Sequence, residues 1–132
     1  MTGIIFSDLG QAASFMALDW VQDLLRQRLG YQPFPATLNV RPKGAEDARV
    51  WQRVRRDHAG TPLTLASDGH CGAKLYRVEI LIGRNSAKLA GAVLLPELND
   101  YPKDKIEIVA PMRLKDHFGL NDGDPITLEF VN

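Results

Sequence analysis

The stretch that most limits what this chain can fold into runs from residue 73 to residue 96. "AKLYRVEILIG" (73–83) places Tyr76, Val78, Ile80 and Ile82 at every second position, with Lys74, Arg77 and Glu79 breaking the run between them. A period of two is that of a strand with one buried face. "GRNSAK" then reads as a hairpin turn, and the apolar block "LAGAVLLP" (89–96) as a buried strand. "PLTLA", "IEIVAP" (106–111) and "PITLEF" are shorter strands of the same kind. They are marked off by the turn "GHCG" (69–72), the loop "ELNDYPKDK" (97–105) and the tight turn "LNDGD".

The first half is mixed. "GIIFS" (3–7) reads as a strand and "DLGQAAS" (8–14) as a small-residue turn. A helix is expected from about Asp19 to Leu29, with Asp19 as N-cap, Gly30 in the left-handed closing position, and a stripe of Trp20, Val21, Leu24 and Leu25. Pro33 and Pro35 keep the next segment extended and lead into a strand around 36–41. "AEDARVWQRVRRDH" (45–58) is a second helix, with Val50, Trp51, Val54 and His58 on one side. Its other side carries Arg49, Arg53 and Arg56, which fits either a solvated face or a phosphate-binding one. "MRLKDHFG" (112–119) is a short third helix with Pro111 near its start and a glycine at its end. Short strands, Gly- and Pro-marked turns and few helices predict a mainly β chain closed into a barrel, one domain over residues 1–132.

Composition narrows the function. The sixteen basic and sixteen acidic residues balance, which gives no support to a nucleic-acid or membrane partner. The single cysteine, Cys71, excludes an intrachain disulfide and any multi-cysteine zinc site, and fits a reducing cytoplasm. No signal peptide and no membrane-spanning run is visible. Walker and G-x-S-x-G patterns are missing, and His58, His70 and His117 are too scattered for a zinc helix motif. His70 and Cys71 are adjacent, would point to opposite faces of a strand, and have no third group to orient them.

Two polar side chains stand out. In "PFPATLNV" (33–40) Thr37 and Asn39 lie two apart, so a strand holds both oxygens on one face and Leu38 and Val40 on the other. Taken alone, this spacing fixes geometry only, and such a face can be merely wet. In "IEIVA" Glu107 is the lone charge among apolar residues, either the exposed face of a strand or a carboxylate placed for proton transfer or hydrogen bonding.

In "GLNDGDPITLEF" Gly123 is expected at positive φ, and Asp124 is expected to bond the backbone of its own turn. The unit resembles the Gly-Asp box of cradle-loop (RIFT-like) barrels, which are six-stranded and include AbrB-type DNA-binding proteins as well as enzymes. "LGYQPFPATLNV", "GAKLYRVEILIG", "AGAVLLP", "IEIVAPMRLKDHFGLNDGD" and the early "SDLGQAASF" occur in the order and spacing of one family. They resemble the archaeal-type CTP-dependent riboflavin kinases, from about Ile4 to Phe130.

That resemblance implies transfer of the γ-phosphoryl of CTP to the 5′-hydroxyl of riboflavin, giving FMN and CDP, with Mg²⁺ as cofactor. It places Thr37 and Asn39 on the metal. It maps the nucleotide loop to Leu9, Gly10, Gln11, Ala12, Ala13 and Ser14, and a second nucleotide segment to Met112, Arg113, Leu114 and Lys115. It assigns Asn99 and Glu107 to the flavin, with Glu107 also the catalytic carboxylate, and it implies a monomer or small homo-oligomer. Two positions depart from the family's glycine-rich loop. Ala12 adds a Cβ where a glycine is usual, and Asp8 adds negative charge near the expected anion. They motivate a second reading, a degenerate homologue that binds flavin or nucleotide without turnover. A third reading, an AbrB-type DNA-binding barrel, rests on "MRLKDHFGLNDGDPITLEF".

Overall fold

The computed structural model describes residues 1–8, 16–63, 72–83, 87–97 and 100–131. Its strands are β1 (Thr2–Ile5), β2 (Leu38–Pro42), β3 (Thr61–Leu63), β4 (Ala73–Ile82), β5 (Ala87–Pro96), β6 (Ile106–Val109) and β7 (Pro125–Phe130). Three helices lie between them: α1 (Asp19–Leu29), α2 (Ala45–Asp57) and α3 (Leu114–Phe118). The proposed turns at 69–72 and 84–86 and the end of "PLTLA" fall wholly or partly outside the described residues, as do His70 and Cys71.

The strands pair antiparallel in the order β3-β4-β5-β6-β2-β1-β7, and β7 returns to β4 through Val78↔Phe130 to Leu81↔Thr127. That last pairing closes β4-β5-β6-β2-β1-β7 into the expected six-stranded barrel. β3 stays outside the ring, paired to the start of β4 at Ala73 to Leu75, on the same edge that β7 takes further along. The length of β4, ten residues, lets one strand serve both neighbours.

The alternation read from the sequence decides what goes inside. Ile5, Val40, Val78, Ile80, Val93, Ile106, Ile108, Ile126 and Leu128 form one buried cluster, joined by Trp51 and Val54 of α2. Leu75, Ala92, Leu94 and Val109 point the other way and meet Val21 and Leu25 of α1 together with Met16. Middle strands covered on both sides read as continuous apolar runs, which is why "LAGAVLLP" shows no alternation. Gly91 sits where β5 passes closest to its neighbours: a Cβ there would lie 2.5 Å from Ile80 Cδ1 and 3.0 Å from the Val109 carbonyl oxygen.

Some local expectations change. α1 does start at Asp19 and end at a left-handed Gly30 (φ 83°), but Leu18 occupies the cap position and no side chain caps the helix. Trp20 is 44% exposed, so the buried stripe is Val21 and Leu25. β2 begins at Leu38, later than expected, because the extended approach through Pro35 does not enter the ladder until Leu38 meets Ile108. Met112 and Arg113 precede α3, which ends at left-handed Gly119 (φ 63°).

Candidate active site

The turn before β7 organises one end of the barrel. Gly123 adopts φ 93°, its N–H donates to the Ile5 carbonyl at 2.8 Å, and the Asp124 carbonyl accepts from the Ile5 N–H at 2.9 Å. The Asp124 carboxylate accepts the Asn121 N–H at 2.8 Å, as its place in the turn predicts. The end of β1 is thereby pinned beside α3. Phe34 donates its N–H to the Ala110 carbonyl at 2.8 Å and fixes the approach to β2 on the other side.

Between these walls lies a cleft of about 240 Å³, lined by residues 6–8, 34, 36–39, 108, 110 and 112–115. Thr37, Leu38 and Asn39 all line it, and Leu38 also packs with Val40 in the barrel core. Met112 to Lys115 line it as well. Segments that are remote in sequence, each picked out beforehand, thus meet at one place. Leu9, Gly10, Gln11, Ala12, Ala13, Ser14 and Asn99 lie outside the described residues.

Glu107 stands behind this wall. It is the one buried charged side chain among the described residues, 5% exposed, and pairs across the sheet with Asn39 on β2 and Leu94 on β5. A buried carboxylate is tolerated when its oxygens accept hydrogen bonds. Here the Thr37 hydroxyl donates to Oε1 at 2.9 Å and the Tyr101 hydroxyl donates to Oε2 at 2.6 Å. Burial, and then the bond to Glu107, push the Tyr101 phenol far above its ordinary pKa, so it remains a donor.

The charges at the cleft are paired. Lys115 Nζ lies 2.9 Å from Asp122 Oδ1 and 3.3 Å from Ser7 Oγ, and the Ser7 hydroxyl donates to Asp122 Oδ2 at 2.6 Å. These bonds, from Ser7 first and Lys115 second, hold the Asp122 carboxyl below its ordinary pKa. Arg113 pairs with Asp116 at 2.5 Å. Asp8 lies 2.5 Å from Lys105 Nζ, which also sits 5.6 Å from the Tyr101 ring centroid. The arginine face of α2 is exposed at Arg49, Arg53 and Arg56, with Arg56 bonded to the adjacent Asp57 at 2.9 Å.

The fit of a divalent cation can be judged from these atoms. No group of three or more His, Cys, Asp or Glu suited to a metal occurs among the described residues. Neutral oxygens are present instead. Asn39 Oδ1 is buried without a hydrogen-bond partner among the described residues, which is costly unless something else fills that role. Thr37 gives its only proton to Glu107 and so keeps its lone pairs. Two such oxygens suit a hard cation that shares its shell with water and phosphate.

Sequence reasoning missed the Ser7–Asp122–Lys115 group, the Asp8–Lys105 pair and the bond from Tyr101 to Glu107. Only Tyr101 carried a signal, as an aromatic hydroxyl in a polar loop shortly before Glu107.

A closed six-stranded barrel whose Gly-Asp turn docks on its first strand is a cradle-loop barrel. The family model of the CTP-dependent riboflavin kinases, described as a domain of unknown function (DUF120), matches residues 5–130, and the chain belongs to this family. It is 32% identical over 131 residues to a riboflavin kinase of Pyrobaculum arsenaticum, covering 99% of this chain and 60% of that one. A riboflavin kinase of Pyrobaculum islandicum is 30% identical over 132 residues (98% of this chain, 59% of that one). One of Haloquadratum walsbyi is 31% identical over 137 residues (98% and 55%). The chain therefore spans under two thirds of the length of these relatives. No helix among its described residues is long and apolar enough to cross a membrane.

Proposed function

We propose that this barrel transfers the γ-phosphoryl of CTP to the 5′-hydroxyl of riboflavin, giving FMN and CDP, with Mg²⁺ as cofactor, in the cytoplasm. The observation that carries the reading is the Thr37–Glu107–Asn39 group: a buried carboxylate that accepts a hydrogen bond from the Thr37 hydroxyl beside an amide oxygen with no partner among the described residues. Family membership and relatives named riboflavin kinase support the substrate.

In this reading Thr37 and Asn39 hold the cation. Residues 9–14 and 112–115 hold the nucleotide, and Asn99 and Glu107 the flavin. When bound, Mg²⁺ offsets the charge of the phosphates. The acceptor oxygen forms its bond to the γ-phosphorus as the bond to the β,γ-bridging oxygen breaks, and CDP leaves. Glu107 takes the hydroxyl proton, since each of its oxygens keeps a lone pair beyond the bond it already accepts. Lys115 and Arg113 supply positive charge at the phosphate end, and Asp122 and Ser7 hold Lys115 in place. The protein's share is mostly positioning. Lys105 offsets the charge of Asp8, which weakens the case for a degenerate homologue.

The test is FMN formation from riboflavin and Mg²⁺ with CTP, ATP, GTP and UTP in turn, followed by absorbance after chromatography. FMN with CTP as the best donor is expected. Folded protein that yields none with any donor would overturn the proposal.

A further inference from the structure

The bond from Tyr101 to Glu107 is not demanded by phosphoryl transfer as such. Glu107 already accepts the Thr37 hydroxyl on one oxygen, and its second oxygen is held by a phenol from the segment before β6, at 2.6 Å. A terminal carboxyl torsion is soft, so a carboxylate with one donor can turn. Donors on both oxygens leave it one orientation.

The phenol is itself held independently of Glu107. Its ring packs against the barrel core, with Lys105 Nζ 5.6 Å from the ring centroid, and Lys105 is paired with Asp8 on the cleft wall. The consequence falls on Thr37. A threonine hydroxyl has one proton, and while that proton is given to Oε1 the oxygen's lone pairs are available elsewhere. If Glu107 turned away, the hydroxyl would be free to rotate and that preference would be lost.

We propose that Tyr101 is a positioning residue: its hydroxyl clamps Glu107 so that Oε1 stays committed to Thr37, and Thr37 thereby presents its lone pairs to a divalent cation in the cleft. This rests on the assignment of Thr37 and Asn39 to the cation. It does not depend on the acceptor being riboflavin.

Tyr101→Phe keeps the ring and its packing and removes only the hydroxyl. Mn²⁺ binding in the presence of CDP, read by water-proton relaxation, should weaken by about tenfold, the scale of a lost supporting hydrogen bond around a metal. In a Thr37→Val background no hydroxyl remains to be oriented, and the same change should alter Mn²⁺ binding less than about twofold, because effects within one linked group are not additive. Circular dichroism checks the fold. If the phenylalanine protein does not fold, 3-fluorotyrosine at position 101, a stronger donor of nearly the same shape, should tighten Mn²⁺ binding instead, and unchanged binding would overturn the proposal.

Unaltered Mn²⁺ affinity in Tyr101→Phe overturns the proposal, and so does an equal loss in both backgrounds, the mark of a purely structural effect. If the unsubstituted protein makes no FMN while the cation measurements run as expected, the kinase reading fails and the positioning role stands. If it makes FMN while Tyr101→Phe binds Mn²⁺ normally, the reverse holds. No Mn²⁺ uptake by the unsubstituted protein with CDP overturns the positioning role together with the cation site.

Discussion

Asn39 shows how one residue can be expensive for folding and cheap to remove. Its Oδ1 is buried without a hydrogen-bond partner among the described residues. Leaving a buried acceptor unpaired costs about 1–3 kcal/mol, whereas an apolar group of similar shape can be nearly neutral in the same place. Asn39→Leu should therefore leave stability within about 1 kcal/mol of the parent, or raise it. Mg²⁺-dependent FMN formation should fall by roughly a hundredfold or more, the upper range for damage to a metal's support and beyond. Urea unfolding and the FMN assay on the same protein read both effects. Activity equal to the parent's would remove Asn39 from the metal site, and a large stability loss would mean that the amide is a structural group after all.

At the scale of elements, what could be read in advance was set by distance along the chain. The period of two in β4 and the buried run in β5 are properties of neighbouring residues, and they reappear in the barrel; Thr37 falls just before β2 and still lines the same cleft as Asn39. The spacing of Thr37 and Asn39 made two oxygens on one face legible, and only the family resemblance turned that face into an expected cation site. Glu107 could be singled out as a lone charge, but not its tie to Thr37, which spans 70 residues. Ser7 and Asp122 are 115 residues apart, and only the closure of β1 against β7 brings them together.

That last contact gives the turn before β7 a signature in pH. The Asp122 carboxyl is held below its ordinary value of 3.8 by Ser7 and then Lys115. A group with a lowered folded pKa stabilises fully above its unfolded pKa and loses that contribution as pH falls through the lowered value. Asp122→Asn should therefore lower Tm near neutral pH, and the gap to the parent should close as pH falls below the ordinary value of 3.8. Asp57, also lowered by its bond to Arg56, titrates in both proteins and cancels. Scanning calorimetry from neutral pH downward measures the gap. A difference independent of pH would show that the Ser7–Asp122–Lys115 group does not fasten α3 to the turn.

On the scale of the whole molecule, the site exists only when the barrel is closed. The cleft takes its walls from three stretches remote in sequence: the residues just after β1, β2 with its approach, and the run from the end of β6 into the start of α3. A ligand there should bind the folded chain and not the unfolded one. At a hundredfold excess over Kd such a ligand adds about 2.7 kcal/mol of stability. For a domain of this size that is several degrees in Tm. CDP with Mg²⁺ should raise Tm by this amount, FMN should do so separately, and the two together should exceed either, since the segments proposed for nucleotide and flavin differ. Asn39→Leu should lose the Mg²⁺-dependent part of the CDP shift and keep the FMN shift. Stabilisation by both ligands in a protein that makes no FMN would mark a binding homologue, with the departures at Asp8 and Ala12 as its cause. A folded protein whose Tm moves with neither ligand would mean that this cleft, for all its likeness to a nucleotide site, holds neither product.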